Sequence, residues 1–231
     1  MLFQVINSMS RGETVSVWQI VMQILAVLFI IFCVLPLHEC AHGWMAHKLG
    51  DDTAKFSGRL TMNPLVSIDP VGALSILLFG FGWAKPVPVN PRNFKNPKAG
   101  MAVTALAGPV SNILAALVGA ILLNVLIVTT SLVSDVSRWV AIFFSYYISI
   151  NVMLAVFNLI PLPPLDGSRI VGAFLSDRML YRYYQYQHYI MMALFVLLFL
   201  GILDRPLSYL SSIVQYGVTW LAALPFQLLG Y

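Results

Sequence analysis

Three of the chain's four histidines fall within twelve residues, Pro36 to His47, in the stretch PLHECAHGWMAH. His38, Glu39 and His42 form an HExxH there, and Glu39 is one of only two glutamates in 231 residues. On a helix, residues i and i+4 share a face, so both imidazoles can reach one ion at about 2.0 to 2.1 Å. The glutamate between them stands close enough to take a proton from water activated at that ion. Zinc is the first choice for this donor set. His47, five residues past His42, points to another side of the helix and reads as an interfacial residue and not a ligand.

Two histidines leave a catalytic zinc one protein ligand short, because such sites use three ligands and keep a fourth position open. The best candidate is Asp166, an acid in the stretch NLIPLPPLDG, followed by a glycine that permits a sharp turn. The competing reading of Asp166 is a helix-terminal cap. Pro161, Pro163 and Pro164 cannot continue a helix, so the end of the third charge-free run, Pro161 to Leu165, is expected to unwind into an extended segment that can pair with an opened peptide. On that reading Pro161 and Pro163 border bound substrate. Asn158, polar among Val156, Phe157, Leu159 and Ile160, would clamp the peptide backbone or, alternatively, pack against a neighbouring helix.

The elements that must position these residues belong to a membrane protein. The chain is 59% hydrophobic and only 10% charged, with a mean hydropathy of +0.84, where a soluble domain carries about a quarter charged residues. Charge-free runs at Thr14–Leu37, Ala99–Ser134, Trp139–Leu165, Tyr183–Leu203 and Pro206–Tyr231 each suit a helix of roughly 20 residues, so five transmembrane helices are expected. The run Val71–Trp83, interrupted by Gly72, Gly80 and Gly82, is too short to cross and suits a re-entrant or interfacial piece. The fold class is therefore all-α and polytopic. A small cytoplasmic-side β-hairpin or sheet is expected from the strand-like composition of Thr53–Met62 and Ala84–Asn90. It would serve as a substrate-receiving edge or as a structural lid.

Basic residues set the orientation. Lys48, Lys55, Arg59, Lys85, Arg92, Lys95 and Lys98 lie between the first two long runs, and Arg169, Arg178 and Arg182 follow the third, against Arg11, Arg138 and Arg205 on the alternate side. The rule that cytoplasmic loops are Lys/Arg-rich places HExxH and Asp166 near the cytoplasmic face of a multi-pass cell-membrane protein. The net charge of +4 is thus topological, and no basic stripe with interleaved aromatics points to nucleic acid. The first run lacks a basic start and a small-residue cleavage site, so it is expected to remain as a span. Cys33 and Cys40, seven residues apart on a helix, lie about 10.5 Å from one another along the axis and do not pair. Asp51, Asp52 and Asp69 are expected to be solvated or turn residues. The tyrosine-rich YRYYQYQH, residues 181–188, reads as an interfacial aromatic belt.

From His38 to Gly167 the chain resembles the site-2 proteases, zinc metalloproteases that cut within membranes. The resemblance rests on HECAH, LGDDTAKFSGRLTMNPLVSIDPVG, FGWAKPVPVNPRNFKNPKAG, AGPVSN and NLIPLPPLDG. It implies one zinc ion held by His38, His42 and Asp166, Glu39 as catalytic base, Asn158 as a substrate-positioning residue and Asn112, of AGPVSN, near the active centre and counted with the substrate-binding residues. It is similar to the small subfamily without PDZ or CBS domains, so residues 1–231 are expected to form one membrane-embedded peptidase domain, with a core at 15–182 and C-terminal spans at 183–231. Where that subfamily commonly has histidine in NPxxHIDPxG, this chain has Ser67. The implied substrates are single-span membrane proteins within the bilayer, cut in or near their spans by regulated intramembrane proteolysis. A zinc transporter would carry ligands at several depths, whereas these gather at one end. A noncatalytic metal-bound scaffold has no need of Glu39.

Overall fold

The computed structural model describes residues 16–79 and 82–230. Arg11, the start of the first expected span, Gly80 and Tyr231 lie outside them. The first apolar run forms α1 (Val17–Phe29), a π-helical turn at Ile30–Val34 and α2 (Leu35–Lys48). These make one helical span of 32 residues. The run of apolar residues ends at Leu37 but the helix does not, so HExxH sits within the span's last turns. Pro36 has no N–H and its ring crowds the carbonyl one turn back. The wider turn just before it, closed by the Leu35 N–H on Ile30 O, accommodates that loss; such π turns recur at functional sites.

Short pieces follow: α3 (Thr53–Phe56), α4 (Pro64–Ser67) and α5 (Pro70–Phe79). At ten residues α5 cannot cross a bilayer about 30 Å thick. Its chain returns on itself, since a Cβ on Gly72 would fall on the Trp83 backbone. The expected hairpin is absent. Among the described residues the 53–62 and 84–90 stretches contain no strand, and Ile68 and Ala84 form only an isolated bridge. Thr53–Phe56 is helical because Asp51 receives the Thr53 N–H at 3.1 Å and starts the turn. Pro86 and Pro88 remove alternate ladder donors from the other stretch.

The long helices are α6 (Pro97–Thr130) and α7 (Asp135–Asn158), packed side by side, with α1 lying against α7 and α2 against α6. Their core joins Ile30 and Val34 to Ala115, Ala116, Ala120, Tyr147, Ile148 and Val152. Small residues bring the backbones close, which replaces the hydrophobic drive missing in lipid. At Gly119 a Cβ would collide with the Tyr147 ring.

After α7 come α8 (Asp166–Gly172), α9 (Asp177–Gln185), α10 (Gln187–Phe199) and α11 (Asp204–Leu228). The count of five spans is not reached here. Among the described residues three helices are long and apolar enough to cross, or up to four if α10 and α11, bent by 86° from one another, count as one broken span. The run Tyr183–Leu203 is charge-free, but its helix is only 13 residues long. It is preceded by the polar α9 and stopped at Gly201, whose φ of 68° lies in the left-handed region that glycine enters without strain.

Candidate metal centre

Both HExxH imidazoles are buried and turned inward, His38 and His42 each being 5% exposed. Their Nε2 atoms lie 3.0 Å apart, and Asp166 Oδ2 stands 3.3 Å from the first and 3.2 Å from the second. The outer nitrogens are engaged elsewhere. His42 Nδ1 is 2.8 Å from the Thr104 carbonyl, and His38 Nδ1 is 3.0 Å from Asn112 Oδ1. A carbonyl oxygen only accepts, so each Nδ1 carries the proton and each neutral imidazole presents a bare Nε2 lone pair inward. Three acceptors then converge with no donor among them, and Asp166 Oδ2 has no hydrogen-bond partner. A buried carboxylate left so costs several kcal/mol unless a cation joins it.

The spacing suits a metal. Tetrahedral bonds of 2.0 to 2.1 Å put ligand atoms about 3.3 Å apart, and the three separations here are 3.0 to 3.3 Å. Among the described residues, His38, His42 and Asp166 form a group that could hold a metal ion. Burial disfavours the charged form of the Asp166 carboxyl, and with both Nε2 atoms bare no neighbouring donor offsets this, so a bound cation is what would hold it as a carboxylate. Gly108 of α6 leaves room at the ligand atoms, because a Cβ there would lie 2.5 Å from His38 Nε2 and closer still to His42 Nε2.

Asp166 reaches the imidazoles because α7 stops at Asn158 and the chain turns back. The expected extended segment is corrected here: residues 159–165 form successive turns, with Leu162 N–H on Ile160 O at 2.8 Å and Leu165 N–H on Leu162 O at 2.9 Å. The prolines end the helix, yet the remaining amides find local partners, so no open strand edge forms. Gly167 serves a close approach, since a Cβ would fall on the Leu159 and Ile160 carbonyls. Tyr183 ties this loop from outside by donating its hydroxyl to the Pro161 carbonyl.

A cavity of about 530 Å³ opens beside the cluster, walled by Glu39, Trp83, Val87, Phe157, Asn158 and Leu194 among others. Glu39 Oε2 accepts the Val87 N–H at 3.0 Å. Asn158 ends α7 at this wall. Asn112 does not: it is fully buried behind His38. Pro161 faces outward and Pro163 is buried, while Pro164 and Leu165 border the cavity instead. His47 pairs with Asp52, away from the cluster. Ser67 is buried, and its carbonyl accepts the Lys85 N–H at 2.9 Å. Asp51 is not solvated but wholly buried. Burial raises its carboxyl, and hydrogen bonds from Thr53, Asn90 and Asn93 outweigh this and hold it below the ordinary range. Thr104, Gly108 and Val87 are not marked as site residues by their types. A main-chain carbonyl or N–H leaves no side-chain signal, and only the Gly-Pro step inside α6 distinguishes Gly108.

Residues 124–201 match the model of Peptidase family M50. That segment includes Asn158 and Asp166, while HExxH lies before it. Over 136 residues the chain is 48% identical to the "Putative zinc metalloprotease YwhC" of Bacillus subtilis, a match covering 58% of this chain and 62% of that protein. Over 146 residues it is 32% identical to the "Putative zinc metalloprotease Rip3" of Mycobacterium tuberculosis, covering 62% of this chain and 29% of that protein. The "Putative zinc metalloprotease Rip2" of Mycolicibacterium smegmatis is 28% identical over 141 residues, 58% of this chain and 51% of that protein. The chain thus spans less than two thirds of the length of each of these relatives. No solved structure matches.

Proposed function

We propose that the protein is an intramembrane zinc metalloprotease that hydrolyses peptide bonds in or near the transmembrane segments of membrane proteins. The observation that carries this reading is the convergence of two bare Nε2 atoms and a carboxyl oxygen beside a mostly apolar cavity that also contains Glu39. A zinc ion held by His38, His42 and Asp166 would supply Lewis-acid activation of water and of the scissile carbonyl.

The chain's own residues do the rest. Asn112 and the Thr104 carbonyl keep both imidazoles in the tautomer that points Nε2 inward. Glu39 accepts a proton from water and delivers it to the leaving amine. The Val87 N–H holds its carboxylate through Oε2. Asn158, at the cavity wall, hydrogen-bonds the substrate backbone. The apolar lining from Leu35, Leu154, Phe157 and Leu198 suits an unwound membrane-helix segment, and single-span proteins are the substrates it favours. The Lys/Arg-rich loops support a site opening toward the cytoplasm. We take residues 1–231 as one peptidase domain.

The test uses the purified full chain and a single-span substrate, with zinc content measured in parallel. The wild type should cleave, and Glu39→Gln should retain zinc and cut at a rate at least about 100-fold lower. Equal cleavage by the variant would falsify the role of Glu39, and a zinc-loaded wild type that cuts nothing would leave a metal-bound scaffold.

A further inference from the structure

Residues 84–93, of which Ala84, Pro86 and Val87 line the cavity beside Glu39, run without helix or strand pairing over most of their length, yet they are fastened at two points. At the first, Arg59 Nη1 donates to the Val66 carbonyl at 2.6 Å, and Nη2 donates to the carbonyls of Lys85 and, at 3.1 Å, Pro86. The Lys85 N–H returns to the Ser67 carbonyl at 2.9 Å. At the second, Asp51 accepts the Asn90 N–H at 2.7 Å on Oδ2 and the Asn93 side-chain amide at 2.7 Å on Oδ1. Asp51 is itself joined to the HExxH helix, its N–H donating to Ala46 O at 2.9 Å.

Val87 lies between the two fastenings. Its neighbours Pro86 and Pro88 have no N–H and restrict the backbone. The Val87 N–H is therefore the one main-chain donor of the 86–88 stretch, and it meets Glu39 Oε2. With the rotations of this stretch restricted, the direction of that N–H follows from where its two ends are held.

We propose that Arg59 and Asp51 are positioning residues for Glu39, fixing residues 85–93 so that the Val87 N–H locks the carboxylate through Oε2 and leaves Oε1 for proton transfer. The catalytic consequence rests on the protease reading above; the mechanical coupling does not. Arg59 suits the task because a planar fork can bridge several carbonyls at once, which a lysine ammonium on a single atom does poorly. Asp51 suits it because a carboxylate can receive several donors.

The experiment compares the wild type with Arg59→Lys, Asp51→Asn, Val87→Pro and Glu39→Gln in the purified full chain. It reads zinc content, kcat and KM on a single-span substrate, and amide hydrogen exchange over residues 84–93. Arg59→Lys and Asp51→Asn should keep wild-type zinc and lower kcat at least about tenfold, with KM within about twofold. Exchange over 84–93 should accelerate in both, and at Val87 also in Glu39→Gln, because the coupling is reciprocal. Arg59→Lys added to Val87→Pro should cost less than about twofold more, since the arginine acts through that N–H. Unchanged kcat with zinc intact, a rise confined to KM, or a full additional loss in the Val87→Pro background overturns the proposal. If a zinc-loaded wild type cuts nothing, the protease reading fails by itself. Exchange then decides the positioning, and an unaltered Val87 amide in both Glu39→Gln and Arg59→Lys overturns it. Should Asp51→Asn fail to fold, the Arg59→Lys measurements decide the matter by the same criteria.

Discussion

Gly108→Ala adds one methyl group at the ligand atoms of the candidate metal centre. An ideal Cβ at this position lies 2.5 Å from both Cε1 and Nε2 of His38 and closer still to Nε2 of His42, where ordinary contact begins at 3.4 Å. The imidazoles must therefore retreat by about 0.9 Å, or α6 must move by as much. Metal-site distances tolerate about 0.2 Å. Retreat also pulls His42 from the Thr104 carbonyl and His38 from Asn112, contacts whose loss alone costs about 10- to 100-fold in metal affinity. A zinc affinity at least about 100-fold weaker follows, at an overpacking cost of about 1 to 3 kcal/mol in stability. The assay is zinc competition against a chromogenic chelator in the purified chain, with unfolding followed in parallel. Gly217→Ala is the control, because its Cβ would meet nothing within 4 Å. Zinc bound by Gly108→Ala with wild-type affinity would show that these imidazoles are not the ligands or that the approach of α6 is not rigid.

Three further outcomes are expected. Asn112→Ala removes the acceptor behind His38 and should weaken zinc binding about 10- to 100-fold, whereas His47→Ala should leave it unchanged, both read by the same competition assay. Asn158→Ala should slow cleavage of a helix-stable single-span substrate with zinc unaffected, and less so when the substrate carries a Gly-Pro break, since Gly and Pro already disfavour helix by about 1 and 3 kcal/mol; equal proportional losses would contradict a hold on the unwound strand. The Asp51 carboxyl is held below its ordinary range by Thr53, Asn90 and Asn93, so its stabilising contribution is complete above the unfolded value of about 3.9 and is lost as pH falls toward the lower folded value. Asp51→Asn should accordingly flatten the loss of stability below about pH 4 in acid-unfolding curves.

The membrane class, the helical character, the pairing of His38 with His42 on one face and the choice of Asp166 as the acid that comes to meet them were legible in the sequence, because each depends on local quantities. Hydropathy over a window of about 20 residues, the 3.6-residue turn and the scarcity of acids in apolar runs need no knowledge of distant contacts. What the tertiary structure decided is where the chain meets itself. It converted two apparent C-terminal spans into a bent pair at Gly201 and drew Asp51 from solvent into a network with Asn90 and Asn93. It also moved Asn112 from the cavity wall to the back of His38. Strand-like composition at Thr53–Met62 gave way to a helical turn, because strand propensity is realised only when a partner edge is present. The hydrogen-bonding groups and the space that complete the candidate metal centre belong to the backbone: the Thr104 carbonyl, the Val87 N–H and the missing Cβ of Gly108. Every residue but proline carries the first two groups alike, so which of them faces an imidazole or a carboxylate is set by how α2, α6 and the 84–93 segment pack, and not by residue type.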